Sequence, residues 1–143
     1  MRETLLVVED NTELLELLRL ALKDAGYRVV TACNGTEALE KARSVMPDLV
    51  LLDLVLPELD GFAVCEALRQ NASTKTIPIL MVTGLTSELS RYAGMESGAD
   101  EYVTKPVSSA QLLSKIEYWL GTRQAKPHPE GQRRPGAITA AAS

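Results

Sequence analysis

Short apolar runs recur along the chain, and an amphipathic segment follows each of them. An unbroken run such as residues 49–52 is typical of a strand that is buried on both faces of a parallel sheet. The segments between the runs repeat apolar residues every three or four positions, as helices with one buried face do. This alternation predicts a parallel sheet with helices on both sides. The predicted strands are residues 5–8, 27–31, 49–52, 77–82 and 102–103.

Capping residues and a change in composition predict where the helices and the domain end. Asn34 begins the second of five predicted helices, while the last begins with a capping box at Ser108 and ends at Gly121. Beyond that point Pro, Gly, Ala and Arg predominate and the apolar period is lost, which is typical of disorder. We therefore expect a domain over residues 1–121, followed by a disordered basic tail or linker stub over residues 122–143.

Composition and charge exclude several classes of protein. The 143 residues suffice for one domain with a buried core, and no apolar run approaches the roughly 20 residues that span a bilayer. Residues 122–143 hold four basic side chains and one Glu, so the rest of the chain is strongly acidic, which argues against nucleic-acid binding. Cys33 and Cys65 lack metal or redox spacing, and we expect both to be reduced core residues of a cytoplasmic protein.

Polar residues follow four of the predicted strands. Glu9 and Asp10 follow the first, Asp53 the third, Thr83 the fourth and Lys105 the fifth. In the doubly wound order 2-1-3-4-5 the first and third strands are neighbours, so three carboxylates would converge within a few ångströms. A cluster of oxygen atoms without His or Cys suits a hard divalent ion, and we expect Mg²⁺.

Phosphoryl transfer to an aspartate needs the groups that this edge of the sheet would collect. A carboxylate attacks, while a metal ion, a lysine and a hydroxyl neutralise or bind the transferred group. Each residue also has a purely structural interpretation: Asp53 as the end of a strand, Thr83 as a turn hydroxyl, Lys105 as a solvated charge. Their coincidence at the ends of separate parallel strands favours the chemical interpretation.

The chain resembles the receiver domain of two-component response regulators, in its single-domain, chemotaxis-receiver-like form. The motifs that carry the resemblance lie in order over residues 7–11, 52–61, 82–84 and 98–106, and it extends over residues 3–121. It implies a flavodoxin-like α/β fold, with a doubly wound five-stranded parallel sheet in the order 2-1-3-4-5 and five helices. It also implies a phosphorylation-dependent switch rather than an enzyme that turns over a substrate.

The resemblance implies a phosphorylation and metal site at the sheet edge. Asp53 would accept a phosphoryl group from a histidine kinase or a phosphotransfer protein. Asp10 and Asp53 would bind Mg²⁺, with Glu9 acting through water and the carbonyl of Val55 completing the protein ligands. The resemblance further implies a cis peptide bond before Pro106.

The remaining roles implied by the resemblance concern the response to phosphorylation. Lys105 would contact the phosphoryl oxygens, Thr83 would turn toward them, and the ring of Tyr102 would follow Thr83. The helix 4–strand 5–helix 5 face would then meet a downstream protein target, without direct contact to nucleic acid or membrane. We expect a monomer or a weak phosphorylation-dependent dimer. Val107 departs from the family pattern, because an aromatic residue often follows the Lys-Pro pair.

Two other classes of function compete with the phosphorylated switch. One is a phosphorylation-independent adaptor that retains the fold only for protein binding, against which the complete set of pocket residues argues. The other is a flavodoxin-like electron carrier, in which Glu9 and Asp10 would repel the phosphate of the flavin. A dinucleotide enzyme is disfavoured because no Gly-x-Gly-x-x-Gly motif follows a strand.

Overall fold

Five parallel strands form one sheet in the computed structural model, which describes residues 2–124. Their order is β2-β1-β3-β4-β5, which confirms the predicted doubly wound, flavodoxin-like arrangement. In this order the phosphoacceptor candidate follows a central strand, directly beside β1. The strands are β1 (Thr4–Val8), β2 (Arg28–Ala32), β3 (Leu49–Leu52), β4 (Ile79–Thr83) and β5 (Glu101–Thr104).

Five helices connect or follow the strands, as predicted. Side-chain oxygens cap the amino termini of all five: that of Asn34, for example, accepts from the Glu37 amide at 2.8 Å. The capping box predicted at Ser108 is confirmed, since the Ser108 hydroxyl accepts from the Gln111 amide at 3.0 Å and the Gln111 side chain accepts from the Ser108 amide at 3.2 Å. None of the helices within residues 2–124 is both long and apolar enough to cross a bilayer. The helices are α1 (Thr12–Asp24), α2 (Gly35–Val45), α3 (Gly61–Gln70), α4 (Glu88–Ser97) and α5 (Ser109–Gln124).

The sheet separates two apolar layers. On one face, side chains of the central strands pack against α1 and α5, with Leu22 and Ile116 among the most deeply buried residues. On the other face, alternate residues of the same strands pack against α2, α3 and α4. Burial of β1 and β3 on both faces explains their continuous apolar runs and leaves the polar residues at their carboxyl ends.

The last helix does not end where the sequence predicts. It passes through Gly121 and continues to Gln124, so the expected end at Gly121 is wrong. A glycine inside a helix costs only about 1 kcal/mol relative to alanine. Packing of the buried Trp119 and Leu120 in the preceding turn outweighs that cost. The rest of the predicted tail, residues 125–143, lies outside the described residues.

The two cysteines lie in different environments. Cys65 is buried on α3, as expected, whereas Cys33 is exposed in the loop after β2, so its assignment to the core is wrong. Cys33 follows the last residue of its strand and therefore lies at the rim rather than under a helix. Its thiol is 3.4 Å from a Glu37 carboxylate oxygen, and that hydrogen bond is the main reason why the pKa of Cys33 is raised.

Candidate functional site

Asp53 lies directly after β3 and is 7% exposed. Its Oδ1 accepts hydrogen bonds from the amides of Leu54 at 2.6 Å and Val55 at 3.3 Å, which fix the carboxylate against its own loop. A Cβ on Gly61 would lie only 2.6 Å from the Leu54 Cα. Glycine at the start of α3 therefore lets the helix close over the loop that carries the acceptor.

Lys105 joins two buried carboxylates from neighbouring strands. Its Nζ donates to Glu9 Oε1 at 2.8 Å and to Asp53 Oδ2 at 3.0 Å. Glu9 is 4% exposed, and its other oxygen accepts from the Asn11 amide at 3.1 Å. Burial lowers the pKa of Lys105, but the hydrogen bonds and charges of both carboxylates outweigh it, so the pKa is raised. We call Glu9, Asp53 and Lys105 the rim cluster.

Asp10 and Val55 lie at the same rim but outside this cluster. The Asp10 side chain is exposed, and within residues 2–124 no hydrogen bond reaches its carboxylate or the Val55 carbonyl. In the same part of the chain, no three His, Cys, Asp or Glu side chains are grouped to hold a metal ion. The predicted convergence of three carboxylates is therefore not found, because Lys105 bridges the two buried ones and the Asp10 side chain is exposed to water.

The residue types at the rim nevertheless fit a hard divalent ion. The proposed ligands are carboxylate and carbonyl oxygens, which is the donor chemistry that Mg²⁺ prefers. The Asp10 carboxylate and the Val55 carbonyl supply two acceptors that no described donor uses. Together with the negative charge in excess of Lys105, they make this rim suited to a further cation.

Thr83 and Tyr102 are both buried and meet at the backbone of Leu85. The Thr83 Oγ1 accepts from the Leu85 amide at 3.3 Å, and the Tyr102 hydroxyl donates to the Leu85 carbonyl at 2.8 Å. Tyr102 is 5% exposed, and burial is the main reason why the pKa of its phenol is raised. The sequence pattern does not indicate this contact at Leu85, because it is made by main-chain atoms that any residue carries.

The loop after β5 positions Lys105 above the site. The amide of Lys105 donates to the carbonyl of Thr83 at 2.8 Å, and the peptide bond between Lys105 and Pro106 is cis, as the resemblance implies. Val107, which stands where an aromatic residue is common, packs against the apolar layer of α1 and α5. The predicted site residues on β4 and β5 are thus held at the same edge as Asp53.

Comparison with known proteins identifies the family. Residues 5–117 match the family described as "Response regulator receiver domain". The alkaline phosphatase synthesis transcriptional regulatory protein PhoP of Bacillus subtilis is 43% identical over 117 residues, which cover 82% of this chain and 48% of PhoP. The chain thus spans about half the length of this curated relative. PhoP is named as a transcriptional regulatory protein, and this similarity weakens our expectation that the protein makes no direct contact with nucleic acid.

Solved structures of receiver domains share the fold along nearly their whole length. The chemotaxis protein CheY4 of Vibrio cholerae is 33% identical, with a TM-score of 0.79 over 82% of this chain and 98% of CheY4. The receiver domain of the sensor histidine kinase PA1611 from Pseudomonas aeruginosa is 28% identical, with a TM-score of 0.79 over 85% of this chain and 99% of that one. That structure has a magnesium ion coordinated in its active site cleft. The chain therefore belongs to the response regulator receiver domain family of two-component systems.

Proposed function

We propose that this receiver domain accepts a phosphoryl group on Asp53 from a histidine kinase or a phosphotransfer protein. The observation that carries the proposal is the ammonium group of Lys105, 3.0 Å from the Asp53 carboxylate. A cation held there lies where negative charge gathers when a phosphoryl group reaches Asp53. Receiver domains are signalling domains rather than turnover enzymes, and the proposal treats Asp53 as an acceptor that is used once per signal.

In the proposed reaction a carboxylate oxygen of Asp53 attacks the phosphorus atom of a phosphohistidine. The phosphorus–nitrogen bond breaks, and its electron pair leaves with the histidine nitrogen. Lys105 then binds the transferred oxygens, and the Thr83 hydroxyl turns toward them and donates to them. Mg²⁺, when bound, would neutralise phosphoryl charge.

The donor set proposed for Mg²⁺ comes from β1 and from the loop after β3. Asp10, Asp53 and the Val55 carbonyl would hold the ion, and Glu9 would act through water. Two features of this chain support the set: the exposed Asp10 carboxylate has no described donor, and the rim cluster holds two carboxylates for one ammonium group. The magnesium ion in the PA1611 receiver supports it by similarity.

The proposed output passes from Asp53 through Thr83 to the face formed by α4, β5 and α5. Thr83 and Tyr102 both contact Leu85, so movement of the Thr83 hydroxyl toward a phosphoryl group alters the loop that holds the ring. Large apolar side chains stand exposed on this face, among them Leu89, Tyr92 and Tyr118. We infer that a downstream protein, or a second receiver in a weak phosphorylation-dependent dimer, binds here.

Phosphorylation with a small donor tests the acceptor. With Mg²⁺ and acetyl phosphate, we expect the intact protein to gain one phosphoryl group by mass, and Asp53→Asn to gain none. Asp60→Asn is the matched control, because Asp60 lies in the same loop and asparagine preserves its capping of α3. Equal labelling of the wild type and Asp53→Asn would place the acceptor elsewhere.

Substitution of Thr83 tests the coupling between acceptor and output. We expect Thr83→Ala to leave labelling of Asp53 nearly intact, because Thr83 does not hold the carboxylate. Beryllofluoride, a phosphoryl mimic, should change amide hydrogen exchange over residues 84–106 in the wild type and hardly at all in Thr83→Ala. If the wild type neither labels nor responds, the phosphorylation-independent adaptor replaces this proposal.

A further inference from the structure

Helix α4 packs directly against the ring of Tyr102 at Gly94. A Cβ built on Gly94 would lie 2.9 and 3.1 Å from two ring carbons of Tyr102 and 2.8 Å from the Met81 sulfur. Real Cβ contacts are longer, so a larger residue requires either the ring or the helix to move. Glycine is a poor helix former, and close packing of the ring against α4 offsets that disadvantage.

Arg91, one helical turn before Gly94, holds the same ring from the solvent side. Its guanidinium carbon lies 4.9 Å from the ring centroid of Tyr102, which is within the range of a cation–π contact. Its Nη1 also donates to the Tyr102 carbonyl at 3.2 Å, so Arg91 binds the backbone and the ring of one residue. The Leu85 carbonyl holds the hydroxyl at the far end of the ring.

We propose that Gly94 and Arg91 form a clamp on Tyr102 that sets the balance between a buried and an exposed position of its ring. Both residues lie on α4, so the clamp makes the position of the helix and the position of the ring depend on each other. The proposal deepens the proposed function, because the signalling role of Tyr102 rests on it. The clamp itself acts without phosphorylation.

Substitution of either residue should shift the balance in the same direction, but by different amounts. A methyl group at residue 94 occupies space that the buried ring needs, so Gly94→Ala shifts the balance toward the exposed position. Loss of the Arg91 guanidinium removes the contact on the ring and the bond to the backbone, so Arg91→Ala shifts the balance in the same direction, but less. A substitution changes such an equilibrium only through its different interaction with the two states.

Fluorine NMR of protein labelled with 3-fluorotyrosine measures the position of the ring. The chain has four tyrosines, and Tyr102→Phe identifies the signal of Tyr102. Without any phosphodonor, we expect Gly94→Ala to raise the exposed population about tenfold, from within the ~0.1–10% typical of minor states. A soluble paramagnetic quencher reports this as stronger broadening of the Tyr102 signal. Arg91→Ala should give a smaller increase.

Matched controls come from elsewhere in the chain. Gly121→Ala places a Cβ where no atom lies within 4 Å, and Arg43→Ala removes an exposed helical arginine far from the ring in sequence. Both should leave the Tyr102 signal unchanged. If Gly94→Ala and Arg91→Ala also leave it unchanged, the clamp is wrong. If Gly94→Ala fails to fold, the response of Arg91→Ala decides whether the clamp is right. That variant should fold, because it alters an exposed side chain.

A second measurement separates failure of the clamp from failure of the proposed function. The same signals are recorded in the Asp53→Asn background, where the clamp predicts the same changes on substitution of Gly94 and Arg91. If the ring responds to both substitutions while the wild-type protein is not labelled by acetyl phosphate, the clamp is supported and the proposed function is overturned. If the wild type is labelled normally while the ring responds to neither substitution, the proposed function is supported and the clamp is overturned.

Discussion

Buried carboxylates are paired with partly buried basic side chains at both ends of the sheet, but the two clusters are built differently. At the amino ends of the strands, Arg69 and Asp100 form the base cluster, with Arg69 Nη2 2.8 Å from Asp100 Oδ2. Other donors of the guanidinium reach the carbonyls of Ile77 at 2.7 Å and Gly98 at 2.8 Å. The same Asp100 oxygen also accepts from the Ile79 amide at 2.8 Å.

At the carboxyl ends, the rim cluster places two carboxylates against one ammonium group. Lys105 is shared between Glu9 and Asp53, and Asp10 adds a further negative charge at the exposed surface. In the base cluster one guanidinium group faces one carboxylate, so the charges balance. At the rim, negative charge remains in excess. The first arrangement fastens α3, β4 and β5 together, whereas the second leaves a place for another cation or for a change of charge.

The largest expected effect comes from breaking the base cluster. Arg69→Ala leaves Asp100 buried without its guanidinium partner, and such changes typically cost about 3–5 kcal/mol of the free energy of unfolding. Urea denaturation measures the loss, with Arg43→Ala as a control for an exposed helical arginine. The fraction of folded protein labelled at Asp53 should not change. A loss below about 1 kcal/mol would make the pair no stronger than a surface salt bridge.

A smaller effect of opposite sign is expected at the rim. Asp10→Ala removes an exposed negative charge from a rim where two carboxylates already share one ammonium group, so the free energy of unfolding should rise by about 0.5–1 kcal/mol and the melting temperature by about 2–4 °C. Added Mg²⁺ should stabilise the wild type and not Asp10→Ala. Glu13→Ala, in the first turn of α1, is the control, since it removes an acid that is not among the proposed metal ligands. Equal stabilisation of all three proteins by Mg²⁺ would contradict the proposed metal ligands.

The contrast between the two clusters also explains what could be predicted from the sequence. Asp53, Thr83 and Lys105 were predictable because parallel strands present their carboxyl ends at one edge, so position along the chain gives position in space. The base cluster was not, because Arg69 and Asp100 are separated by 31 positions and neither follows a pattern that indicates a partner. Residue spacing reports which edge a residue reaches, but not the side chain it contacts there.

The same limit applies within the rim and at the last helix. Spacing brings Glu9, Asp10 and Asp53 to one edge, yet the bridge from Lys105 to two of them depends on side-chain conformations that spacing does not determine. At Gly121, local propensity favours the end of a helix, and burial of the preceding turn overrides it. These two predictions failed because packing between side chains, and not local sequence, decided the outcome.

The smallest expected effect tests whether the excess charge of the rim reaches the output face. Burial is the main reason why the pKa of the Tyr102 phenol is raised, and the negative charge of Asp53 raises it further, while a hydrogen bond to Ser90 and the charge of Arg91 lower it. Asp53→Asn removes one raising contribution, so the pKa should fall but stay above the usual value of about 10.

Carbon-13 NMR of the tyrosine ring, with titration above pH 9, measures this pKa. The raised pKa is also linked to a change in stability with pH. Because the folded-state pKa is raised, the contribution of Tyr102 to stability is fully present below about pH 10 and is lost as pH rises through the folded value. In Asp53→Asn that loss of stability should be smaller, since the pKa of the Tyr102 phenol in the folded protein lies closer to its pKa in the unfolded protein. Asp60→Asn is the control. An equal Tyr102 pKa in the wild type, Asp53→Asn and Asp60→Asn would show that the negative charge of Asp53 has no effect on the phenol. Phosphorylation would then have to act on the ring through Thr83 and Leu85 alone, by contact rather than by charge.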